Sequence, residues 1–111
     1  YMVKGLIKVF GNVGDFVGFR MRGGTIFVGG DAGGRAGACM TGGKIVVDGR
    51  IESILPSFTI EDVRPKVKVN GEVVAGPFYL FIGDITEEGQ GRLYVSKPKN
   101  PHLSPYEKYL T

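Results

Sequence analysis

Tryptophan is absent from this 111-residue chain, and cysteine and histidine occur once each, as Cys39 and His102. A single thiol excludes an internal disulfide framework and fits a reducing compartment. One cysteine and one histidine supply too few ligands for a structural zinc or iron–sulfur site within the chain. Neither Gly-x-Gly-x-x-Gly nor a complete phosphate loop occurs; Gly42-Gly43-Lys44 matches only the last fragment of such a loop. No apolar run approaches the roughly 18 residues of a membrane span, and no signal-peptide pattern opens the chain. A cytoplasmic protein without a membrane partner is therefore expected. The 14 basic residues exceed the 11 acidic ones by only three, with no run beyond pairs such as Lys97/Lys99, so no nucleic-acid partner is expected. Asp48, Glu52, Glu61 and Asp62 cluster only loosely around the end of the coil, which leaves paired-carboxylate catalysis an outside alternative. Cys39, between Ala38 and Met40, reads as a small buried side chain, and His102, beside Pro101, as a surface or packing residue.

Glycine is what the chain has in plenty, 19 of 111 residues, and its placement is periodic. Gly5-Leu6-Ile7-Lys8-Val9-Phe10-Gly11 returns 19 residues later as Gly24-Thr25-Ile26-Phe27-Val28-Gly29-Gly30, and again as Gly43-Lys44-Ile45-Val46-Val47-Asp48-Gly49. Gly14, Gly18, Met21 and Gly23 return as Gly33, Gly37, Met40 and Gly42, and Met2 stands 19 before Met21. A period near twenty indicates units that bury a hydrophobic face only against neighbours. The alternation in Gly-x-Ile-x-Val is a strand signature, and glycines at fixed offsets read as corners. Helical repeats run longer, and each helix-interior glycine would cost roughly 1 kcal/mol. Leucine-rich repeats need recurrent Leu and an Asn ladder, and neither is apparent.

The expectation is an all-β right-handed parallel β-helix of 19-residue coils, with the rows Ile7/Ile26/Ile45 and Val9/Val28/Val47 stacked inside. Residues 1–60 would form the coil. Residues 61–111 would cap it with a hairpin turning at Asn70-Gly71, strands at Phe78–Ile82 and Arg92–Ser96, and a helical turn started by Ser104-Pro105. Gly14, Gly18, Gly33 and Gly37, with Gly11, Gly30 and Gly49, are expected at structural corners. Leu6, Phe10, Phe27 and Val46 would point outward, so either the cap folds over them or another protein does. Phe10, Phe27 and Met2 are the candidate interface residues.

The unit from Gly23 to Gly49, with Asp31, Gly33, Gly37 and Met40 at their offsets, resembles the glycine-repeat β-helix domain shared by the glutamate synthase large subunit and the C subunit of formylmethanofuran dehydrogenase. The segment Ile51–Phe58, the run Gly76-Pro77-Phe78-Tyr79-Leu80-Phe81 with Gly83-Asp84, and Gly89-x-Gly91-x-Leu93-Tyr94-Val95 favour the formylmethanofuran dehydrogenase side. The resemblance spans roughly residues 2 to 96 and matches the C-terminal part of that polypeptide. It implies a non-catalytic scaffold in an oxidoreductase complex of methanogenic one-carbon metabolism, which loads reduced CO2 onto methanofuran. The molybdenum or tungsten pterin and the iron–sulfur clusters would lie in partner subunits, with no cofactor in this chain. A glutamate-synthase-like subunit is the near variant of that reading. An autonomous β-helix enzyme or ligand-binding module is the alternative from a different class. Partners would be other subunits, or a second copy of the chain.

Overall fold

A computed structural model of the chain describes residues 5–15, 17–69, 71–83 and 90–110. Met2, Asn70, Asp84 and Gly89 therefore lie outside the described residues. The three Gly-x-Ile-x-Val segments are strands β1 (Leu6–Val9), β2 (Thr25–Val28) and β3 (Lys44–Val47). They pair in parallel with Ile7 opposite Ile26, Ile26 opposite Ile45, and the valines likewise. Branching at Cβ favours this extended backbone and lets equal side chains stack.

The expected β-helix does not form. The described strands make one six-stranded mixed sheet in the order β1-β2-β3-β6-β5-β4. Strands β4 (Thr59–Val69) and β5 (Glu72–Gly83) are an antiparallel hairpin, and β6 (Gly91–Ser96) runs antiparallel to β5 and parallel to β3. A solenoid needs strands on more than one wall of each coil, and only one wall carries the alternating pattern. The glycine-rich segments between β1, β2 and β3 are turns and bends. They are tied across the repeat by bonds such as Arg20 N–H to the Ala38 carbonyl (2.8 Å) and by an isolated bridge between Ala32 and Ile51. The fourth rung is not another coil. It is β6, whose Leu93 and Val95 extend the Ile and Val rows from the far end of the sequence.

The sheet is covered on both faces, which is why β3 and β6 are buried almost throughout. One face carries Ile26, Val28, Ile45, Val47, Leu93 and Val95, packed beneath Met21, Met40, Ile51 and Phe58 of the turn segments. On the other face Val46, Phe78, Leu80 and Tyr94 pack against Val67 and Val69 of the hairpin, with Leu6, Phe27 and Val74 at the margin. Register shifts at Ile60/Asp62 and Arg64/Lys66 accompany that return of the hairpin, as bulges increase strand twist. Of the residues expected on this second face, Val46 is fully buried and Phe27 and Leu6 are half-buried, so the cap covers much of it, one of the two expected outcomes. Ile7 departs in the opposite sense. Along its row the exposures are 47% for Ile7, 6% for Ile26, 0% for Ile45 and 1% for Leu93, because among the described residues β1 is the edge strand.

The C-terminal segment starts its helix earlier than Ser104. A 3₁₀ helix runs from Pro101 to Tyr109, with Asn100 at its N-cap and Pro105 inside. Pro101 has no N–H to lose at the first position, and Pro105 cannot donate the bond that a full α-turn would require. Asn100, fully buried, fixes the start: its side-chain oxygen accepts from Ile51 N–H (2.7 Å), and its amide donates to the carbonyls of Gly49 (3.0 Å) and Ser96 (2.6 Å). Farther along, the Tyr79 hydroxyl donates to Glu107 (2.7 Å) and Lys97 bonds the other carboxylate oxygen (3.3 Å), clamping the helix to the sheet.

Candidate interaction surface

The two edges of the sheet differ in chemistry. On β4 the exposed positions include Glu61, Asp62, Arg64, Pro65, Lys66 and Lys68, and Arg64 pairs with Asp62 at 3.0 Å. Charges, bulges and a proline are the devices by which sheet edges resist pairing. The β1 edge reads Leu6-Ile7-Lys8-Val9 and then Phe10, with one charge. Among the described residues no strand lies on the outer side of β1.

Alternation puts Ile7 on the Met21/Met40 face of that edge and Phe10 on the hairpin face. Phe10 is 79% exposed and meets Phe27 edge-on, with ring centroids 6.5 Å apart at 62°. Beside them is a cavity of about 150 Å³ lined by Lys8, Phe10, Phe27, Val69, Glu72 and Val74. Lys8 and Glu72 close it at 3.4 Å, and a pair this exposed contributes at most about 1 kcal/mol. Lys44 lies one strand further in, donating to the Lys68 carbonyl at 2.9 Å and sitting 5.8 Å from the Tyr94 ring centre. Burial, and then the Arg92 charge on the adjacent strand, push its ammonium below the usual lysine range.

The glycines singled out by the repeat do different things. Gly18 and Gly37 have φ of 72° and 75°, and at Gly37 a Cβ would also meet Met40 and Phe58. At Gly49 a side chain would collide with the Gly30 carbonyl and Asp31, so the two corners stack only because that position is bare. Added carbons at Gly30 and Gly33 would strike Asn12 and Asp15, whereas Gly11 and Gly14 face open space.

Sequence reasoning missed three features. Asn12 and Asp31 occupy equal offsets, and each side chain accepts a bond from the next corner: Asp31 N–H to Asn12, then Arg50 N–H to Asp31, both at 2.8 Å. Asp15 does the same for Gly34 (3.0 Å). An Asx ladder is therefore present, visible as spacing but concealed by a change of residue type. Second, Arg20 and Cys39, also 19 apart, are both left-handed, with φ of 55° and 60°. Cys39 is half-exposed rather than buried. Third, Asn100 gave no local signal.

Catalytic groupings are sparse. The His102 ring nitrogen lies 2.8 Å from the Ile51 carbonyl, which gives it a packing role on the last corner. Among the described residues no three of His, Cys, Asp and Glu come together as a metal site. No helix there is long and apolar enough to cross a membrane.

No family model matches the chain. Over 56 residues it is 40% identical to the C subunit of tungsten-containing formylmethanofuran dehydrogenase 2 from Methanothermobacter thermautotrophicus, and 39% identical to the Methanothermobacter marburgensis protein of the same name. The similarity supports a relation to that family. The aligned stretch takes in 50% of this chain, and the chain spans about a fifth (21%) of the length of these curated relatives. Neither relative is a glutamate synthase, so that side of the resemblance gains no support from them.

Proposed function

We propose that this chain is a non-catalytic, protein-binding module of a formylmethanofuran-dehydrogenase-type complex. The observation that carries this reading is the unlike pair of sheet edges: β4 is blunted by charge, bulge and proline, while β1 has no strand on its outer side among the described residues and carries exposed Ile7 and Phe10. An edge of that kind is a template for another polypeptide. In this reading Phe10, Phe27 and Met2 belong to the interface, residues 1–60 are the repeat body and residues 61–111 its cap. The partner is a protein subunit. The pterin-bound metal and iron–sulfur clusters sit in such subunits, consistent with a chain that has one cysteine and one histidine. Similarity to the two Methanothermobacter polypeptides over half of this chain supports the choice of complex.

The test is purification of the tagged chain from its native source. The reading expects formylmethanofuran dehydrogenase polypeptides in fixed ratio to the chain, and their loss in Phe10→Asp at unchanged melting temperature. A chain recovered as a monomer without those polypeptides would overturn it.

A further inference from the structure

The cavity of about 150 Å³ beside β1 bears on what kind of segment that edge takes. Its place follows from the sheet. Lys8 and Phe27 are register partners of β1 and β2, and Val69, Glu72 and Val74, from the two sides of the hairpin turn, line the cavity with them. Phe10, edge-on to Phe27, is a further wall. Four of these side chains are apolar, and the two charges, Lys8 and Glu72, meet each other at 3.4 Å. Backbone parity adds a second observation. Thr25 N–H donates to the Gly5 carbonyl (2.9 Å) and Gly29 N–H to the Val9 carbonyl (2.7 Å). Alternate residues of a parallel strand bond to the same neighbour, so the N–H and C=O of Leu6 and Lys8 point away from β2. A strand bonded to them would lie about 4.8 Å beyond β1 and send every second side chain to the hairpin face, where the cavity is.

We propose that the polypeptide joining β1 does so as an extended segment and seats one bulky apolar side chain, a Phe, Leu, Ile or Met, in this cavity. The inference rests on the reading of β1 as a subunit-binding edge and adds what that edge recognises. An apolar cavity of roughly 150 Å³ is the size that holds one benzene ring, so it takes a single such side chain. Main-chain bonds to an edge supply affinity, and a pocket for an alternate side chain supplies specificity. A second copy of this chain, adding its own β1, brings no group that fits. On the hairpin face Leu6 packs beside Val46 and Tyr94, Lys8 pairs with Glu72, and Phe10 is itself a wall of the cavity. The occupant is therefore a different polypeptide. The exposed Lys8–Glu72 pair at the rim yields to it at little cost.

Val74→Phe fills the cavity from within, whereas Val73→Phe adds the same bulk at an exposed neighbour outside the lining. In purification from the native source, Val74→Phe is expected to recover at least about tenfold less formylmethanofuran dehydrogenase polypeptide than wild type, at an unchanged or raised melting temperature. Val73→Phe should recover the wild-type amount. Wild-type capture by Val74→Phe, with capture lost in Phe10→Asp, overturns this inference and leaves the subunit-binding reading standing. Capture retained by both variants overturns that reading as well. Equal losses in Val73→Phe and Val74→Phe also overturn the inference. Glu72→p-benzoylphenylalanine, a photo-crosslinking substitution at the rim, tests the occupant without filling the cavity. Irradiating the purified complex is expected to join it, at or next to a Phe, Leu, Ile or Met, to a partner polypeptide. A crosslink to a second copy of the chain, a crosslink to a wholly polar segment, or none at all overturns the assignment.

Discussion

Removing the Asn100 side chain tests how the C-terminal segment is held. The three groups it satisfies, Ile51 N–H and the carbonyls of Gly49 and Ser96, belong to buried residues. In Asn100→Ala the Ile51 N–H is left without this acceptor, at a cost of about 1 to 3 kcal/mol for a buried donor. The two carbonyls lose one donor each; a carbonyl with two lone pairs suffers less, so about 3 kcal/mol is expected in total. For a domain of this size 1 kcal/mol moves the melting temperature by roughly 4 °C or more, which places the variant on the order of 12 °C below wild type. Asn100→Asp should be no better, because it replaces the amide nitrogen and its two donors with one oxygen that faces both carbonyls. Asn12→Ala is the control. It deletes the same kind of side-chain-to-backbone bond at an exposed corner, where water replaces the partner, and should cost only about 0.5 kcal/mol. Urea unfolding followed by circular dichroism measures both. An Asn100→Ala midpoint within about 0.5 kcal/mol of wild type, or equal losses at Asn12 and Asn100, would refute the reasoning.

Gly37→Ala should destabilise by about 1 to 3 kcal/mol in the same assay, because φ is positive and the new carbon meets Met40 and Phe58. Cys39→Gly should stabilise by about 0.5 to 1 kcal/mol by relieving left-handed backbone at φ 60°, and a neutral or negative result would show that the thiol's packing outweighs it. Burial and the bond to Glu107 push the Tyr79 phenol from its ordinary 10.0 up to about 12. Above pH 10 the unfolded chain therefore releases a proton that the folded chain keeps, so stability should fall between pH 10 and about 12 and the fall should shrink in Tyr79→Phe. On the acid side, the hydrogen bonds from Tyr79 and then Lys97 hold Glu107 below its ordinary value. Its contribution is complete above the ordinary carboxylate range and lost as pH falls through the lowered value, so Glu107→Gln should flatten the acid limb of a melting-temperature profile.

Much of the sheet was legible because translation by 19 residues is a local signal: it sets the registers of Ile26 with Ile45 and Val28 with Val47. The signal carried no information about what lies beyond β3. That neighbour is β6, brought in by a long hairpin, and no short-range pattern in Arg92–Ser96 specifies a parallel partner 48 residues upstream. Alternation placed Val46 on the second face and left open whether the cap or another protein covers it. It separates two faces of a strand but does not say which is wet, and here the hairpin covers the second. The Phe10 surface was legible as an apolar residue at an outward offset.

The central claim is that β1 and Phe10 form a binding edge for another subunit. Hydrogen–deuterium exchange of the Leu6–Phe10 amides, in the free chain and in the natively purified complex, tests it most directly. The account predicts fast exchange in the free chain and at least about tenfold slower exchange in the complex, with β4 amides unchanged, as expected when an edge strand gains a partner. Equal exchange of β1 in both states, or protection appearing on β4 instead, would contradict it.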